Sequence, residues 1–233
     1  MLVFKGIQKT TLIDYPKQVA CTLFLPKCNF RCAFCYNPQL VLEKETGVSI
    51  SEREALAFLG ERKGFLDAVC ITGGEPTLHA GLLGFCKKLK KRGLLVKIDT
   101  NGSMPGVLRK LIKAKAVDYI AMDIKAPPGR YSEAAGVKVD MEKIRESASL
   151  IMKSGVEYEF RTTVLPSLHT EAGLVEIGTW LNGAKQFFLQ QFNPAVPLLE
   201  KSLEGSGTYS EKELSAFAES LKGFFGSVRV RGL

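Results

Sequence analysis

The segment VACTLFLPKCNFRCAFC, residues 19–35, decides the fold assignment of this chain because it joins a strand to a cysteine-rich loop. Val19–Leu25 is a largely apolar run, typical of a buried strand. Cys28, Cys32 and Cys35 follow within eight residues, a segment we call the cysteine loop. Three thiolates on one short loop can bind three irons of a cubic cluster and leave the fourth iron without a protein ligand. No fourth Cys or His follows at a short spacing, so an iron–sulfur cluster is favoured over zinc.

Length and composition predict one enzyme-sized domain over residues 1–233. The chain has 45% hydrophobic residues, enough to bury a full core without disulfide bonds. No run approaches the ~18 consecutive apolar residues of a membrane span, and Lys5 and Lys9 interrupt any signal-peptide core. We therefore expect a cytoplasmic protein that makes no membrane contact and in which Cys21, Cys70 and Cys86 stay reduced.

The charge balance is basic, with a formal net charge of +8, which favours acidic partners or anionic ligands. Much of the excess lies at Lys87–Arg92, at the end of a predicted helix, where cations complement the helix dipole. No aromatic residues interleave with these cations, so a solvated helix end is favoured over a nucleic-acid surface. We expect no nucleic-acid partner.

Strand-like and helix-like segments alternate along most of the chain. Buried strands are predicted at Val19–Leu25, Asp67–Thr72, Leu94–Thr100, Val117–Ile124, Val156–Thr162 and Lys185–Gln191. Helices are predicted at Ser51–Lys63, Leu78–Arg92, Pro105–Lys115, Asp140–Lys153, Glu171–Asn182 and Ser210–Gly223. Phe225–Arg231 is expected to extend or cover a sheet edge. Six successive βα units with right-handed crossovers predict an α/β fold, an open partial (β/α)6 barrel of parallel strands.

Nearly every predicted strand ends in polar or glycine residues, and parallel βα folds bind ligands at the carboxyl ends of their strands. After the cysteine loop these residues are, in strand order, Thr72, Gly73, Gly74 and Glu75; Asp99, Thr100 and Asn101; Asp123 and Lys125; Arg161; and Gln190 and Asn193. Taken singly, most of these groups are explained about as well by a turn or a surface ion pair. Their joint occurrence after successive strands predicts a ligand site. His79 and His169 follow no ligand spacing and are expected to be structural or surface residues.

Two motifs carry a family resemblance. Cys-x3-Cys-x2-Cys, with Phe34 before the last cysteine, and the turn Gly-Gly-Glu-Pro at residues 73–76 resemble the radical S-adenosylmethionine (SAM) superfamily. Thr-Asn-Gly after Asp99 and Asp-Ile-Lys at residues 123–125 resemble the branch that activates glycyl-radical enzymes. The resemblance covers nearly the whole chain and implies a single radical SAM domain.

The opening of the chain narrows the resemblance. GIQKTTLIDYP, residues 6–16, followed by CTLFLP, residues 21–26, is similar to the activating proteins of anaerobic ribonucleoside-triphosphate reductase. Lys17 and Lys27 depart from that family, which often has glycine at these positions. The chain lacks the cysteine-rich insert of some activases, so the resemblance implies one cluster.

The resemblance assigns ligands to the candidate residues. It implies a 4Fe-4S cluster on Cys28, Cys32 and Cys35, with S-adenosyl-L-methionine bound at the open iron. It also implies that Gly73, Gly74 and Glu75 bind the methionine ammonium, with Thr72, Asp99 and Asn101 close to the cofactor. Lys125 and Arg161 are implied to bind the carboxylate or the ribose of the cofactor. A monovalent cation is implied at Asp99, Thr100 and Asp123.

The implied reaction is one-electron reduction of S-adenosylmethionine to methionine and a 5′-deoxyadenosyl radical, which removes a hydrogen atom from a target. In this branch the target is a glycine of a glycyl-radical enzyme, here anaerobic ribonucleotide reductase, and the electron donor is a flavodoxin or ferredoxin. An open barrel mouth would admit a peptide loop.

Two alternatives remain open. A radical SAM enzyme acting on a small molecule, such as a deazaguanine synthase, would use the same cluster but needs polar groups for that substrate and a closed cap. The short stretch after Asn193 favours a protein substrate. A noncatalytic zinc or nucleic-acid-binding module would leave the polar strand ends unexplained.

Overall fold

The computed structural model describes residues 1–43, 47 and 49–233. The chain has an α/β fold with a mostly parallel sheet. The residues group into two compact units: unit 1 contains Met1–Asn29, Gln39–Thr100 and Met104–Ile120, and unit 2 contains Phe30–Pro38, Asn101–Ser103 and Ala121–Leu233. The expectation of a single domain over residues 1–233 stays a prediction.

The strands and helices alternate along the chain. The strands are β1 (Val3–Phe4), β2 (Gly6–Thr11), β3 (Ala20–Leu25), β4 (Ile50–Ser51), β5 (Ala68–Gly73), β6 (Leu95–Thr100), β7 (Tyr119–Asp123), β8 (Glu157–Val164), β9 (Ala184–Gln191) and β10 (Phe225–Arg231). The α-helices are α1 (Pro38–Val41), α2 (Glu52–Glu61), α3 (Leu82–Lys90), α4 (Pro105–Lys113), α5 (Tyr131–Ala135), α6 (Met141–Lys153), α7 (Glu171–Trp180) and α8 (Glu211–Leu221).

Unit 1 is built on a parallel trio of strands, β3, β5 and β6. β2 runs antiparallel to β3, and β1 pairs separately with β4. The first four residues of β5, Ala68–Ile71, are fully buried, as expected for a strand covered on both faces. Leu25 of β3 lies opposite Gly73 of β5 in the ladder, so the cysteine loop and the glycine turn leave from neighbouring strand ends.

Unit 2 contains the parallel strands β8, β9 and β10. The backbone just after β7 joins β8 through a hydrogen bond from Ile124 N to Arg161 O (2.8 Å). β10 pairs with β9 at the edge of the sheet, as the sequence predicts for Phe225–Arg231. β7 belongs to both units, because Ile120 ends a segment of unit 1 and Ala121 begins one of unit 2.

The fold confirms most of the sequence-based expectations. All six predicted strands are present as β3 and β5–β9, each within two residues of the expected bounds, and a helical segment follows each of them. Ser51 and Ser210 each form the full capping box that their sequence predicts. The predicted helix at Leu78–Arg92 begins later, at Leu82, because Glu75 caps a short 3₁₀ turn at Pro76–Leu78 instead. No helix among the described residues is long and apolar enough to cross a membrane.

Candidate active-site residues

The paired glycines in unit 1 allow the turn after β5 to touch the backbone that leads into the cysteine loop. Gly74 N donates to Leu25 O (2.8 Å), and Glu75 N donates to Lys27 O (2.7 Å). Gly73 has a φ of +112°, and a Cβ on Gly74 would lie 1.9 Å from Lys27 O. Neither position therefore accepts a side chain without moving the backbone next to the cysteine loop.

Glu75 is a buried acceptor that joins the ends of β5 and β6. Its side chain is 1% exposed. Its Oε1 accepts hydrogen bonds from Thr77 N (3.0 Å), Thr77 Oγ1 and Thr100 Oγ1 (2.7 Å). The carboxylate thus fixes the relative position of two strand ends that carry predicted cofactor-binding residues.

Two lysines at positions where the resembling family often has glycine adopt left-handed backbone conformations. Lys17 has a φ of +63° and Lys27 a φ of +65°. His79 Nε2 lies 2.8 Å from Pro26 O, which holds the residue before Lys27. Both lysines therefore adopt, at a cost in backbone strain, a conformation that glycine adopts easily. The contact from His79 supports the backbone next to Lys27.

Cys32 and Cys35 form a tight turn in unit 2, whereas Cys28 belongs to unit 1. Cys35 N donates to Cys32 O (3.0 Å), and Asn37 N donates to Cys35 Sγ (3.4 Å). Burial raises the pKa of the Cys35 thiol, while the Asn37 hydrogen bond and the charge of Lys125 act in the opposite direction. An N–H donor and a cation beside sulfur both favour a thiolate ligand.

The donor set of the loop fits an iron–sulfur cluster. All six cysteines are free thiols, and three of them lie within the loop. Among the described residues no three His, Cys, Asp or Glu side chains converge on a single metal ion. Thiolates are the preferred ligands of iron–sulfur clusters, and the N–H donor and ammonium near the sulfurs suit a cluster that carries negative charge.

Asp123, Lys125 and Arg161 form one charged group in unit 2. Asp123 accepts from Arg161 Nε (2.8 Å) on Oδ1 and from Lys125 Nζ (3.1 Å) on Oδ2. Burial raises the pKa of Asp123, but the two cations outweigh it and hold the pKa at about 2. Burial lowers the pKa of Lys125, but the charges of Asp123 and Cys32 raise it above its ordinary value. Lys125 therefore connects the cysteine turn electrostatically with the end of β7.

The other predicted residues occupy strand ends in both units. Thr72 is half-buried at the end of β5, and Asp99 lies near the end of β6 with its carboxylate 2.6 Å from Lys97 Nζ. Asn101, in unit 2, accepts from Ser103 N (2.9 Å) in the Asx turn that its sequence allows. Asn193 N donates to the hydroxyl of Tyr36 (2.8 Å), the residue that follows the third cysteine.

Sequence reasoning missed Lys97 and Glu159, which support these strand ends, whereas His169 is a structural residue, one of the two roles expected for it. Lys97 is buried on β6 and pairs with Asp99. The spacing of two residues, which puts both side chains on one face of a strand, was the available signal. His169 is fully buried, with Nε2 2.9 Å from Lys125 O and Nδ1 accepting from Leu165 N (3.1 Å). Glu159 binds Arg231, 72 residues away, through two 2.8 Å contacts. Of these signals, only the spacing between Lys97 and Asp99 could have been recognised in the sequence.

Comparison with known proteins agrees with this geometry. The model of the radical SAM superfamily matches residues 22–177. A protein of Methanocaldococcus jannaschii, provisionally named a glycyl-radical enzyme activating enzyme, is 32% identical over 97% of this chain and 94% of its own length. The pyruvate formate-lyase-activating enzyme of Clostridium pasteurianum is 26% identical over 70% of this chain and 68% of its own.

Solved structures show the same fold. The crystal structure of Streptococcus suis SuiB bound to S-adenosylmethionine superposes with a TM-score of 0.68 at 14% identity. The match covers 91% of this chain and 52% of that one. The fold agrees with the predicted class, and the family uses a 4Fe-4S cluster and S-adenosylmethionine as its cofactors. From its motifs, its fold and these matches, the chain belongs to the radical SAM superfamily and is a radical SAM oxidoreductase.

Proposed function

We propose that this enzyme is an activase that generates a glycyl radical on a partner enzyme. The observation that carries the proposal is the 32% identity to a provisionally named activating enzyme over nearly the full length of both chains. The identity to a pyruvate formate-lyase-activating enzyme supports the same branch. The strand-end motifs Asp99-Thr100-Asn101 and Asp123-Ile124-Lys125 are those that resemble this branch.

In this proposal Cys28, Cys32 and Cys35 hold the cluster. When bound, the cluster supplies the electron that splits S-adenosylmethionine into methionine and the 5′-deoxyadenosyl radical that takes a hydrogen atom. Gly73 and Gly74 hold the turn against the backbone at Leu25 and Lys27, next to the first cysteine, because neither position leaves room for a Cβ.

Four further residues position the methionine part of the cofactor. Glu75 sets the turn and supplies negative charge for the ammonium. Lys125 and Arg161 supply positive charge for the carboxylate, and Asp123, which binds both of them, keeps their side chains in place. These residues bind and orient the cofactor, and orientation of the reacting atoms contributes a large part of the rate enhancement in such reactions.

The proposed partner is an anaerobic ribonucleoside-triphosphate reductase, and the proposed electron donor is a flavodoxin or ferredoxin. The partner is supported by the resemblance of residues 6–16 and 21–26 to activating proteins of that reductase. The proposed location is the cytoplasm, which is supported by the need of free thiolates and a reduced cluster for a reducing compartment.

Electron paramagnetic resonance tests the proposal. The reconstituted enzyme is incubated anaerobically with dithionite, S-adenosylmethionine and the anaerobic ribonucleotide reductase of the same genome. We expect a persistent doublet from a glycyl radical, and we expect it to disappear when the partner's radical-bearing glycine is replaced by alanine. A loaded enzyme that gives no such doublet but turns over a small heterocycle many times would instead be a small-molecule radical SAM enzyme.

A further inference from the structure

Lys97 and Asp99 form a buried ion pair on β6. Lys97 Nζ lies 2.6 Å from Asp99 Oδ1, and the two side chains are 3% and 16% exposed. The residues are two positions apart on one strand, so both side chains extend from the same face of the sheet. Asp99 begins the strand-end motif Asp-Thr-Asn-Gly, which resembles the branch that activates glycyl-radical enzymes.

The surroundings of Lys97 explain why its ammonium stays with Asp99. Cys70 is its register partner on β5, and Cys70 Sγ lies 3.8 Å from Lys97 Nζ. The ring centroid of Tyr119 lies 6.0 Å from the same nitrogen. A thiol and an aromatic ring solvate an ammonium poorly, and a buried charge without a counter-charge is strongly unfavourable. The pair with Asp99 therefore stabilises the ammonium of Lys97 in this buried position.

The residues to which the resemblance assigns a monovalent cation do not fit one. An alkali cation needs several oxygen ligands whose lone pairs are available. Asp99 Oδ1 already accepts from the Lys97 ammonium at 2.6 Å, so a positive charge already lies where a cation would bind this carboxylate. In unit 2 both oxygens of Asp123 are bound by Arg161 and Lys125. A further cation at either carboxylate would lie beside a fixed positive charge in a poorly solvated place.

We propose that the ammonium of Lys97 does the work of the monovalent cation at Asp99, so that this enzyme needs no alkali metal ion. Lys97 is then a positioning residue. It neutralises Asp99 and holds the end of β6, whose next residue, Thr100, binds Glu75. The inference rests on the resemblance of the Asp99 and Asp123 motifs to the activating branch, and so on the proposed function. Its test measures cofactor affinity and stability without a partner enzyme, so an alkali-dependent enzyme that still forms a glycyl radical would refute this inference alone.

The test compares alkali chlorides with tetramethylammonium chloride at equal ionic strength. For the reconstituted enzyme we expect the dissociation constant of S-adenosylmethionine and the thermal midpoint to be the same in all of these salts. Lys97→Met keeps the length of the side chain and removes its charge. In tetramethylammonium chloride this variant should bind the cofactor at least about tenfold more weakly. Potassium or sodium should restore its affinity and raise its thermal midpoint in a saturable manner.

Two control variants separate a cation site from a general loss of stability. Lys90→Met removes a similar ion pair, with Asp118, on the outside of unit 1, and should not respond to alkali ions. Lys97→Met combined with Asp99→Asn removes both charges and should fold without responding either. A wild-type enzyme that requires potassium or sodium would overturn the inference. A folded Lys97→Met protein whose cofactor affinity does not change with alkali ions would also overturn it. So would a Lys97→Met protein that is unfolded in every salt while the double variant is folded.

Discussion

Replacement of Gly74 by alanine tests whether the glycine turn and the cysteine loop form one structural unit. The added Cβ would lie 1.9 Å from Lys27 O and 2.6 Å from Lys27 C. Non-bonded carbon contacts need more than ~3 Å, so the backbone at Lys27 would have to move by more than about 1 Å. Both close atoms are backbone atoms, which cannot rotate away as a flexible side chain could.

The cost follows from the contacts that such a movement breaks. The hydrogen bonds from Gly74 N to Leu25 O and from Glu75 N to Lys27 O would lengthen or be lost. Each contributes about 1 kcal/mol, and overpacking at a rigid site typically adds ~1–3 kcal/mol. We therefore expect Gly74→Ala to lower the free energy of unfolding by about 3–5 kcal/mol. Because Lys27 precedes the first cysteine, iron loading should fall as well.

Gly84→Ala is the matched control. Gly84 lies within α3, and a Cβ there would meet nothing within 4 Å. Alanine in an exposed helix interior should raise stability by about 0.5–1 kcal/mol. Anaerobic denaturant titration of both proteins, with iron and sulfide analysis after reconstitution, measures the difference. If Gly74→Ala unfolds within about 0.5 kcal/mol of the wild type and binds a full cluster, the turn does not constrain the loop.

Three further predictions concern single side chains. Cys32→Ser should fold but fail to hold the cluster, whereas Cys86→Ser should keep it, since Cys86 is fully buried and burial raises its pKa to about 12; equal iron content in the two variants would contradict the ligand assignment. Glu75→Gln keeps an acceptor for the neighbouring threonines but loses the charge, so S-adenosylmethionine should bind more weakly by about 1.5–3 kcal/mol; an unchanged dissociation constant would remove Glu75 from the cofactor site. Burial lowers the pKa of His169 to about 4 from an ordinary value of 6.5. The unfolded chain therefore binds the proton first, and the free energy of unfolding should fall by up to about 3 kcal/mol as the pH drops from 6.5 to 4. His169→Gln should flatten that part of the pH profile of stability, and an equally steep profile would rule His169 out as its cause.

Local sequence patterns were sufficient for the fold. The strands could be predicted because a strand of a parallel sheet is covered on both faces and reads as a continuous apolar run, as Ala68–Ile71 does. The capping boxes at Ser51 and Ser210 marked two helix starts because their side chains bind backbone only three residues away. The left-handed conformation of Lys27, at a position where the family it resembles often has glycine, was not predicted.

Interactions between distant residues could not be predicted in the same way. The pair of Glu159 with Arg231 depends on the register of β8, β9 and β10, which no local pattern specifies. His169 contacts Lys125 O only because the loop after β8 returns to the end of β7. The predicted helix start at Leu78 was wrong because a buried contact of Glu75 with Thr77 and Thr100 outweighs helix propensity there.

The most direct test of the central claim is the fate of the hydrogen atom. The partner reductase is prepared with glycine that carries deuterium on its α-carbon and is incubated anaerobically with the reconstituted enzyme, dithionite and S-adenosylmethionine. Mass spectrometry of the 5′-deoxyadenosine formed then identifies the source of the abstracted atom. An activase predicts one deuterium in the product, in proportion to the glycyl radical counted by electron paramagnetic resonance. Unlabelled 5′-deoxyadenosine, formed at the same rate with and without the partner, would contradict the claim that a glycine of that enzyme is the target.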